Sequence, residues 1–489
     1  MMKKFLLWTL MAGGVLSCQT SPEVTWVSTT LDEPWAVQAP VPAAETNEGV
    51  DIVIDVANTR QTIEGFGACF NELGWASLSK LEASARDSIM NELFTPGVGG
   101  NFTICRMPVA ANDFSVDWYS YNETEGDFAM DKFSIAHDRQ MLIPFIQAAL
   151  RFQPELKIWA SPWCPPSWMK YNRHYAGKST MKMYRALKEQ LKEGESTYMA
   201  RVVDNGLPED KEGDEGMDMF IQEDAYLKAY ALYFSKFIDA YRKEGIDIFA
   251  VMPQNEFNSA QIFPSCCWTA KGLRNFVGKY LGPAMTEKGV EVMFGTMERA
   301  NVALVDTILQ DPDCARFIKG VGFQWAGKDA LPKVYAKYPD LKLYQTEQEC
   351  GDGKNSWEGA VYAWNLMKHY LKHGVSAYEY WNISLAEGGI SRWGWAQNSL
   401  VVVDEAKRSY RYTPEYYMLK HVSHYVLPGA KRLETSGAYD DVLAFVNTDN
   451  SVIIIIGNTQ SSDKVVRFQV GGKVYSPVLK ANSINTFKI

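Results

Sequence analysis

Two features that would point to particular partners are missing from most of the sequence. After residue 18, no stretch reaches the roughly 18 unbroken apolar residues that a membrane helix needs. No block of basic residues occurs either, and the net charge of −9 argues against nucleic acid as a partner. We therefore expect the body of this 489-residue chain to be soluble and to bury a large core.

Cysteine is scarce, and its spacing matches no metal site. Of the eight cysteines, seven remain once Cys18 is set aside. An odd number without a Cys-x-x-Cys pair favours neither a zinc site nor a complete set of disulfides. We interpret most of these residues as small buried hydrophobic side chains.

The first residues have the pattern of an export signal. Two lysines precede an apolar stretch over residues 5–16, which is too short to cross a bilayer. The run Val-Leu-Ser-Cys that ends at Cys18 is typical of a bacterial lipobox, in which the cysteine is lipidated. We expect residues 1–18 to be a lipoprotein signal peptide, and the product to be an exported outer-membrane lipoprotein, periplasmic or on the cell surface. An ordinary signal peptide that happens to contain Cys18 is the alternative.

Eight apolar, β-branched or aromatic runs alternate with helical patterns along the middle of the chain. The runs cover residues 62–70, 102–110, 157–163, 248–256, 290–297, 318–325, 342–347 and 377–383. Eight such alternations predict an α/β protein, a parallel (β/α)8 TIM barrel over residues 62–413 with its helices outside. Catalytic side chains usually lie at the C-terminal ends of such strands.

The pattern changes after residue 413. Short apolar stretches at 441–447, 451–458, 464–470 and 483–489 are separated by Asn, Asp, Ser and Gly turns. They predict a β-sandwich over residues 414–489, to which residues 19–61 add strands from the other end of the chain. We interpret the sandwich as structural support.

A charged insertion follows the third predicted strand. Residues 178–216 combine a Lys/Glu-rich helical piece with an acidic patch. Such a stretch is usually a solvated face, although its position also allows it to form one wall of a cleft at the barrel mouth.

Two glutamates end predicted strands on opposite sides of the barrel. The fourth strand ends at Glu256 and the seventh at Glu347. Glycoside hydrolysis needs two carboxyl groups that flank the scissile bond, one protonated and one ionised. Opposed strands can bring the two carboxyls within the ~5 Å of a retaining enzyme. Strand alternation leaves Glu349 as a rival to Glu347, and Glu387 as a weaker one.

Other polar and aromatic residues near strand ends are candidates for sugar binding. Asn255 precedes Glu256 and is suited to bind a sugar 2-hydroxyl. Arg106 on the second strand is suited to hold a carboxylate through a bidentate contact, and Asp113 follows the same strand. Indoles near the ends of the third, sixth and eighth strands are suited to stack on sugars, although core packing explains each one equally well. These are Trp163, Trp325 and Trp381.

Seven stretches in chain order resemble glycoside hydrolase family 30, which includes glucosylceramidases and bacterial endo-β-1,6-glucanases. They are IEGFGACF (63–70), CRMPV (105–109), NDFS (112–115), ASPWCPPSWMK (160–170), QNE (254–256), TEQECGDG (346–353) and YWN (380–382). The resemblance implies a retaining mechanism on a barrel joined to a sandwich that both chain ends build. It implies neither a metal nor an organic cofactor.

The resemblance also implies roles for single residues. The family's acid/base falls on Glu256 and its nucleophile, the glutamate of a Ser/Thr-Glu pair, on Glu347, which favours Glu347 over Glu349. Its substrate-binding residues match Arg106, Asp113, Trp163, Asn255 and Trp381, and we add Gln324 and Trp325 at the end of the sixth strand.

The chain departs from glucosylceramidases at one motif. Where those enzymes carry His-Trp-Tyr, this chain has Gln324, Trp325 and Ala326, so the tyrosine expected beside the nucleophile is missing. The TEQECGDG stretch and the Trp-rich loop over residues 392–398 look more like the β-1,6-glucanase branch.

We therefore expect a retaining endo-β-1,6-glucanase that acts by double displacement on a polysaccharide or oligosaccharide and touches a membrane only through its lipid anchor. An exo-acting β-glucosidase, β-xylosidase or glucosylceramidase-like enzyme of the same family is the first alternative. A surface glycan-binding lipoprotein without catalysis is the second.

Overall fold

The computed structural model describes residues 24–44, 49–190 and 203–489, without the side chains of residues 187–190. Cys18, the predicted lipidation site, lies outside these ranges. No helix within them is long and apolar enough to cross a membrane.

Eight parallel strands close into a barrel, as the alternation predicted. In chain order, strands one to eight are Gly65–Cys69, Ile104–Pro108, Lys157–Ser161, Ile248–Val251, Glu291–Met297, Ile318–Gln324, Lys342–Glu347 and Val375–Asn382. Each lies in or overlaps one of the eight apolar runs. Their interior side chains fill the barrel below its mouth: Ile104, Trp159, Ala250, Met252, Met293, Tyr344 and Ala377. The open end of the barrel is therefore the C-terminal end, above this packed layer.

Helices surround the barrel. Their bounds are Glu72–Leu78, Ala83–Phe94, Leu142–Leu150, Thr180–Gln190, Asp224–Lys243, Ala270–Phe276, Gly282–Lys288, Val302–Leu309, Pro312–Ala315, Leu331–Lys337, Trp357–Lys372 and Pro414–Ser423. The helix Trp357–Lys372 shows why they form. The Ser356 hydroxyl accepts a hydrogen bond from a backbone amide of the first turn, and Ala360, Ala363 and Met367 bury one face at helical spacing.

Both ends of the chain build the second sheet, in agreement with the predicted sandwich. Its strands are Thr25–Thr29, Ala36–Val37, Ile52–Thr62, Lys431–Ser436, Val442–Val446, Val452–Asn458, Phe468–Val470, Lys473–Tyr475 and Ser483–Lys488. The first pairs antiparallel with the last. A two-stranded ladder joins Lys464–Val465 to Val478–Leu479, and Ser384–Ala386, Val401–Asp404 and Ser409–Tyr412 form a further small sheet beside the barrel.

The strand Val452–Asn458 joins the sandwich to the barrel. Its four consecutive isoleucines are all buried because both faces of this strand are covered. Ile454 and Ile456 point into the sandwich interior, whereas Ile453 and Ile455 join the hydrophobic core around the barrel.

The start of the C-terminal part differs from the expected pattern. Residues 414–423 are a helix that packs against the helix Trp357–Lys372, and the first sheet strand of this part is Lys431–Ser436. We did not predict that strand, because only Arg432 and Leu433 within it are buried and its sequence is mostly polar.

The seven described cysteines are all buried and free of disulfides, which confirms their interpretation as small core residues. Among the residues that the structure describes, no group of His, Cys, Asp and Glu side chains is arranged to hold a metal ion.

Candidate active site

Glu256 and Glu347 face each other across the mouth of the barrel. Strand four ends at Val251, so Glu256 lies in the loop that follows, whereas Glu347 is the last residue of strand seven. Glu256 has a φ of 42°, in the left-handed region that non-glycine residues rarely adopt. The loop is held by the backbone N–H of Asn255, which donates to the Pro162 carbonyl over 2.7 Å. A strained, firmly held residue of this kind is typical of a functional site.

The side chain of Gln324 bridges the two carboxyl groups. Its Nε2 lies 3.2 Å from Oε1 of Glu256 and 3.2 Å from Oε2 of Glu347. These two oxygens are thus no more than about 6.4 Å apart, twice that distance, which favours the ~5 Å spacing of retaining over the wider spacing of inverting glycosidases. The Thr346 hydroxyl donates to Oε1 of Gln324 over 2.9 Å, which fixes the orientation of the amide.

Arg106 holds the Glu347 carboxylate from below. Its Nη1 donates to Oε2 of Glu347 over 2.8 Å, and its Nη2 donates to Oδ1 of Asn255 over 2.7 Å. The remaining donors meet the Ser161 hydroxyl and the Thr346 carbonyl. One guanidinium therefore fixes both the carboxylate on strand seven and the amide beside Glu256. This differs from the expected bidentate contact with a single carboxylate.

Aromatic rings surround the same guanidinium. It lies 4.3 Å from the ring centroid of Trp163, 5.0 Å from that of Trp159 and 5.7 Å from that of Trp381. Trp163 and Trp381 stack with their centroids 5.2 Å apart. These contacts exclude water and favour the charged arginine through the ring quadrupoles.

The surroundings give the two glutamates different proton affinities. Burial, reinforced by the negative charge of Glu347, raises the pKa of Glu256 to about 7. Burial also raises the pKa of Glu347, but Arg106 and the indole N–H of Trp325, 3.2 Å from Oε1, favour its ionised form. Glu256 is thus suited to stay protonated while Glu347 is ionised, which is the division of labour that an acid and a nucleophile need.

A cavity of about 230 Å³ opens above this pair. Its lining residues are Asp113, Trp163, Asn255, Glu256, Gln261, Phe263, Glu298, Arg299, Trp325, Ala326, Glu347, Trp395 and Gln397. Within the described part of the chain, the buried Oδ1 of Asp113 has no hydrogen-bond partner, and burial raises the pKa of this carboxyl. A buried polar atom without a partner at a cavity wall is a natural contact for a ligand hydroxyl.

Not all predicted site residues reach the cavity. Asp113, Trp163, Asn255 and Trp325 line it, together with the two glutamates. Three others, Arg106, Gln324 and Trp381, are fully buried behind its wall, so they contact the carboxylates or the lining indole rather than open space.

The two rival glutamates lie elsewhere. Glu349 forms an ion pair with Lys328 at 2.7 Å, and Glu387 pairs with Arg411 at 2.8 Å. The alternation that made Glu349 a rival fails because strand seven ends at Glu347, and the chain then turns away from the barrel axis.

Several lining residues were not predicted from the sequence. Gln261 and Phe263 lie in the loop after strand four, and Glu298 and Arg299 directly follow strand five. Trp395 belongs to the Trp-rich loop over residues 392–398, which resembles the β-1,6-glucanase branch. Irregular loops carry no periodic signal. The only sequence feature that could have indicated Glu298 is its position just after strand five.

Part of the charged insertion borders this cavity. Oε2 of Glu215 accepts a 3.0 Å hydrogen bond from Nε of Arg299, and the Gly216 N–H donates to Oδ1 of Asn258. This end of the insertion therefore contacts Arg299, which lines the cavity, and Asn258 in the loop that carries Glu256, while Glu215 itself stays largely exposed.

Comparison with known protein families identifies two matching regions. The Glycosyl hydrolase family 30 TIM-barrel domain matches residues 63–206 and 209–426. The Glycosyl hydrolase family 30 beta sandwich domain matches residues 429–487. Together the two regions extend from the first barrel strand into the last strand of the sandwich.

Individual proteins match over most of their length. The lysosomal acid glucosylceramidase of Mus musculus is 26% identical over 454 residues, which are 86% of this chain and 80% of that protein. An endo-1,6-β-D-glucanase of Aspergillus fumigatus is 25% identical over 484 residues, 92% of this chain and 91% of that protein. The solved structure of the endo-β-1,6-glucanase BT3312 has a TM-score of 0.78 and 22% identity, and the match covers 95% of this chain and 99% of that one.

Proposed function

Since the chain belongs to glycoside hydrolase family 30 and is a glycosidase, we propose that it is a retaining endo-β-1,6-glucanase with Glu256 as acid/base and Glu347 as nucleophile. The observation that carries this proposal is the amide of Gln324, which lies 3.2 Å from one oxygen of each glutamate. That spacing suits direct attack by a carboxylate and leaves little room for a water molecule between Glu347 and the sugar.

The reaction proceeds in two displacements. Glu347 attacks the anomeric carbon and forms a covalent glycosyl-enzyme, while Glu256 donates its proton to the oxygen of the departing sugar. Glu256 then takes a proton from water, whose oxygen attacks the anomeric carbon and releases Glu347. Arg106 and Trp325 stabilise the Glu347 carboxylate before attack and after release through their hydrogen bonds.

Three observations support a β-1,6-glucan as the substrate. The Aspergillus fumigatus relative that aligns over 92% of this chain is an endo-1,6-β-D-glucanase. Ala326 lines the cavity at the position where glucosylceramidases carry the tyrosine of their His-Trp-Tyr motif. Phe263 and Trp395, whose ring centroids are 6.2 Å apart, also line the cavity, and such rings suit the C–H faces of sugar units.

The test is the product profile of the purified protein on a linear β-1,6-glucan. We expect a mixture of short oligosaccharides early in the reaction, and NMR should detect the β-anomer of the new reducing end first. Glucose as the only early product would contradict endo action, and an initial α-anomer would contradict retention.

A matched pair of variants tests the residue roles. Glu347→Gln should lose about 10³-fold or more in kcat because it removes the nucleophile. Glu349→Gln makes the same chemical change two residues away, outside the cavity, and should keep kcat within about twofold. Equal losses in both variants would argue against Glu347 as the nucleophile.

A glucosylceramidase-like activity is the second candidate, favoured by the 26% identity to the mouse lysosomal enzyme over 86% of this chain. Release of glucose from glucosylceramide at a rate above that on β-1,6-glucan would favour it.

We also propose that Cys18 carries a lipid anchor on an exported protein, on the basis of the lipobox pattern in the sequence. Expression in a bacterium with labelled fatty acid should label the wild-type protein and leave Cys18→Ala unlabelled. Equal labelling of both would contradict the anchor.

A further inference from the structure

One wall of the cavity carries a polar cluster that the two-step reaction leaves unused. It consists of Gln261, Glu298 and Arg299, which line the cavity beside Glu256. Glu298 is only 2% exposed. A buried carboxyl group at a cavity wall is costly unless it has polar partners, so its position calls for an explanation.

Local contacts hold these three side chains in fixed positions. Oε1 of Glu298 accepts a 3.1 Å hydrogen bond from the backbone N–H of Asn258, in the loop that carries Glu256. Nε2 of Gln261 donates to the Ser259 hydroxyl over 2.6 Å and approaches Oε2 of Glu256 at 3.4 Å. The cluster is therefore held by hydrogen bonds to the loop that carries the acid/base.

Arg299 is held from outside the barrel. Its Nε donates to Oε2 of Glu215 over 3.0 Å, and its Nη2 lies 3.4 Å from the Ser259 hydroxyl. The charged insertion after strand three thereby braces this wall. Its Nη1 lies 3.4 Å from the Glu298 carbonyl, and because Arg299 also lines the cavity, its guanidinium is within reach of a ligand there.

The cluster lies on the acid/base side of the cavity. Glu256 is the main charge that raises the pKa of Glu298, after burial. Gln261 lies 3.4 Å from Oε2 of Glu256, and Glu298 accepts a hydrogen bond from the loop that carries Glu256, so the cluster lies beside the proton donor.

The side of the proton donor is where the leaving group departs, because Glu256 must reach the oxygen of that group. A sugar there offers several hydroxyls to Glu298, Gln261 and Arg299. A lipid chain would cover the same polar groups without hydrogen bonds, which weakens its binding because each of these groups is then buried without a partner.

We propose that Glu298, Arg299 and Gln261 form a leaving-group subsite that binds the hydroxyls of a sugar and thereby selects glycan over lipid glycosides. The proposal rests on the two-step retaining mechanism above and specifies the chemistry of its leaving group. Burial and the nearby charge of Glu256 raise the pKa of the Glu298 carboxyl, which favours its neutral form, and in that form it can both donate to and accept from sugar hydroxyls.

The test uses an activated aryl β-glucoside as donor, which forms the glycosyl-enzyme without needing a sugar in this subsite. Glucose or methanol is then added as acceptor, and the ratio of transfer to hydrolysis is measured. By microscopic reversibility, a sugar acceptor occupies the leaving-group subsite, whereas methanol needs no contact there. The variants are Arg299→Met and Glu298→Leu. The Arg299 side chain is half-exposed, so Arg299→Met should fold, and thermal unfolding is measured for both variants.

We expect each variant to lose about tenfold or more of the transfer-to-hydrolysis ratio for glucose, whereas the same ratio for methanol should stay within about twofold of wild type. Glu349→Gln, which removes a charge outside the cavity, is the matched control and should change none of these. Equal losses for glucose and methanol would reduce the cluster to a structural role and overturn the proposal. An unchanged ratio of transfer to hydrolysis with glucose as acceptor would also overturn the proposal. The same holds if the wild-type enzyme transferred to a long-chain alcohol in preference to glucose.

The linkage of the transfer product separates this proposal from the proposed function. Transfer to the 6-hydroxyl of glucose supports both. Transfer to another hydroxyl that still depends on Arg299 supports the sugar subsite and contradicts the β-1,6 assignment.

Discussion

Arg106 donates a 2.8 Å hydrogen bond to Glu347, and the arginine side chain is fully shielded from water. A buried ion pair is stable only when its remaining donors and acceptors are satisfied, since the cost of removing both charges from water is large. Here Ser161, Asn255 and the Thr346 carbonyl satisfy the guanidinium. The pair therefore keeps a carboxylate ionised in a site whose burial opposes ionisation.

Arg106→Met should raise the pKa of Glu347 further. An arginine next to a carboxyl lowers its pKa by about 1–3 units, so its loss should move the acid limb of kcat/KM upward by a similar amount. Because Glu256 must stay protonated, the pH range in which both glutamates are in the right state then narrows and maximal activity falls. The pH profile of kcat/KM on an aryl glucoside, with a thermal unfolding control, measures this. An acid limb that stays in place would rule out the electrostatic role.

Activity on a substrate with a sugar leaving group should decline above pH 7. The pKa of Glu256 is raised to about 7, and only its protonated form can donate to the leaving oxygen. Below that pH the acid is present, and above it kcat/KM should fall by about tenfold for each pH unit. Glu256→Ala should abolish this limb on a glucoside whose leaving group needs no proton. If kcat/KM of that variant still fell above pH 7, the decline would have to come from a titrating group other than Glu256.

Trp325→Phe should impair catalysis with little effect on stability. The indole N–H lies 3.2 Å from Oε1 of Glu347. Hydrogen bonds to charged groups contribute about 1.5–3 kcal/mol, so kcat/KM should fall by about one to two orders of magnitude. Trp26→Phe removes an indole hydrogen bond to Asn485 in the distant sandwich and should leave kcat/KM unchanged. A similar loss in both variants would contradict a specific contact with the nucleophile.

Ile455→Ala should destabilise the protein strongly. This side chain is fully buried where the central sandwich strand packs on the barrel core. Removing such a side chain typically costs about 2–5 kcal/mol, which urea unfolding measures directly. Val478→Ala, at a position that is 53% exposed in the short ladder of the sandwich, should change stability by less than about 1 kcal/mol. Comparable losses of stability in the two variants would show that packing of Ile455 against the barrel core does not account for its effect.

The barrel could be predicted because its strands are covered on both sides. A parallel strand such as Gly65–Cys69 is buried at every position, so its sequence is a continuous apolar run. The two glutamates that the resemblance assigned to catalysis also face each other, because strands four and seven lie on opposite sides of a closed eight-stranded ring.

Other features of the fold and of the site depended on contacts between residues distant in sequence, which a sequence pattern does not contain. Lys431–Ser436 forms a strand because Ile52–Thr62 pairs with it, although its own sequence is polar. Gln324 was expected to bind substrate, yet the positions of Thr346 and the two glutamates turn its amide into a bridge between carboxylates. Glu298 lies just past a strand, where the course of the loop, and not periodicity, decides what a side chain meets.

The pairing of Thr25–Thr29 with Ser483–Lys488 has a consequence for the order of assembly. During synthesis, Thr25–Thr29 can pair early with Ala36–Val37, but its other edge must wait until Ser483–Lys488 has been made. Contacts between residues so distant in sequence also slow folding, because the entropy of closing the chain is lost before the contact forms. The nine-stranded sheet is therefore completed only when both of these distant strands are present.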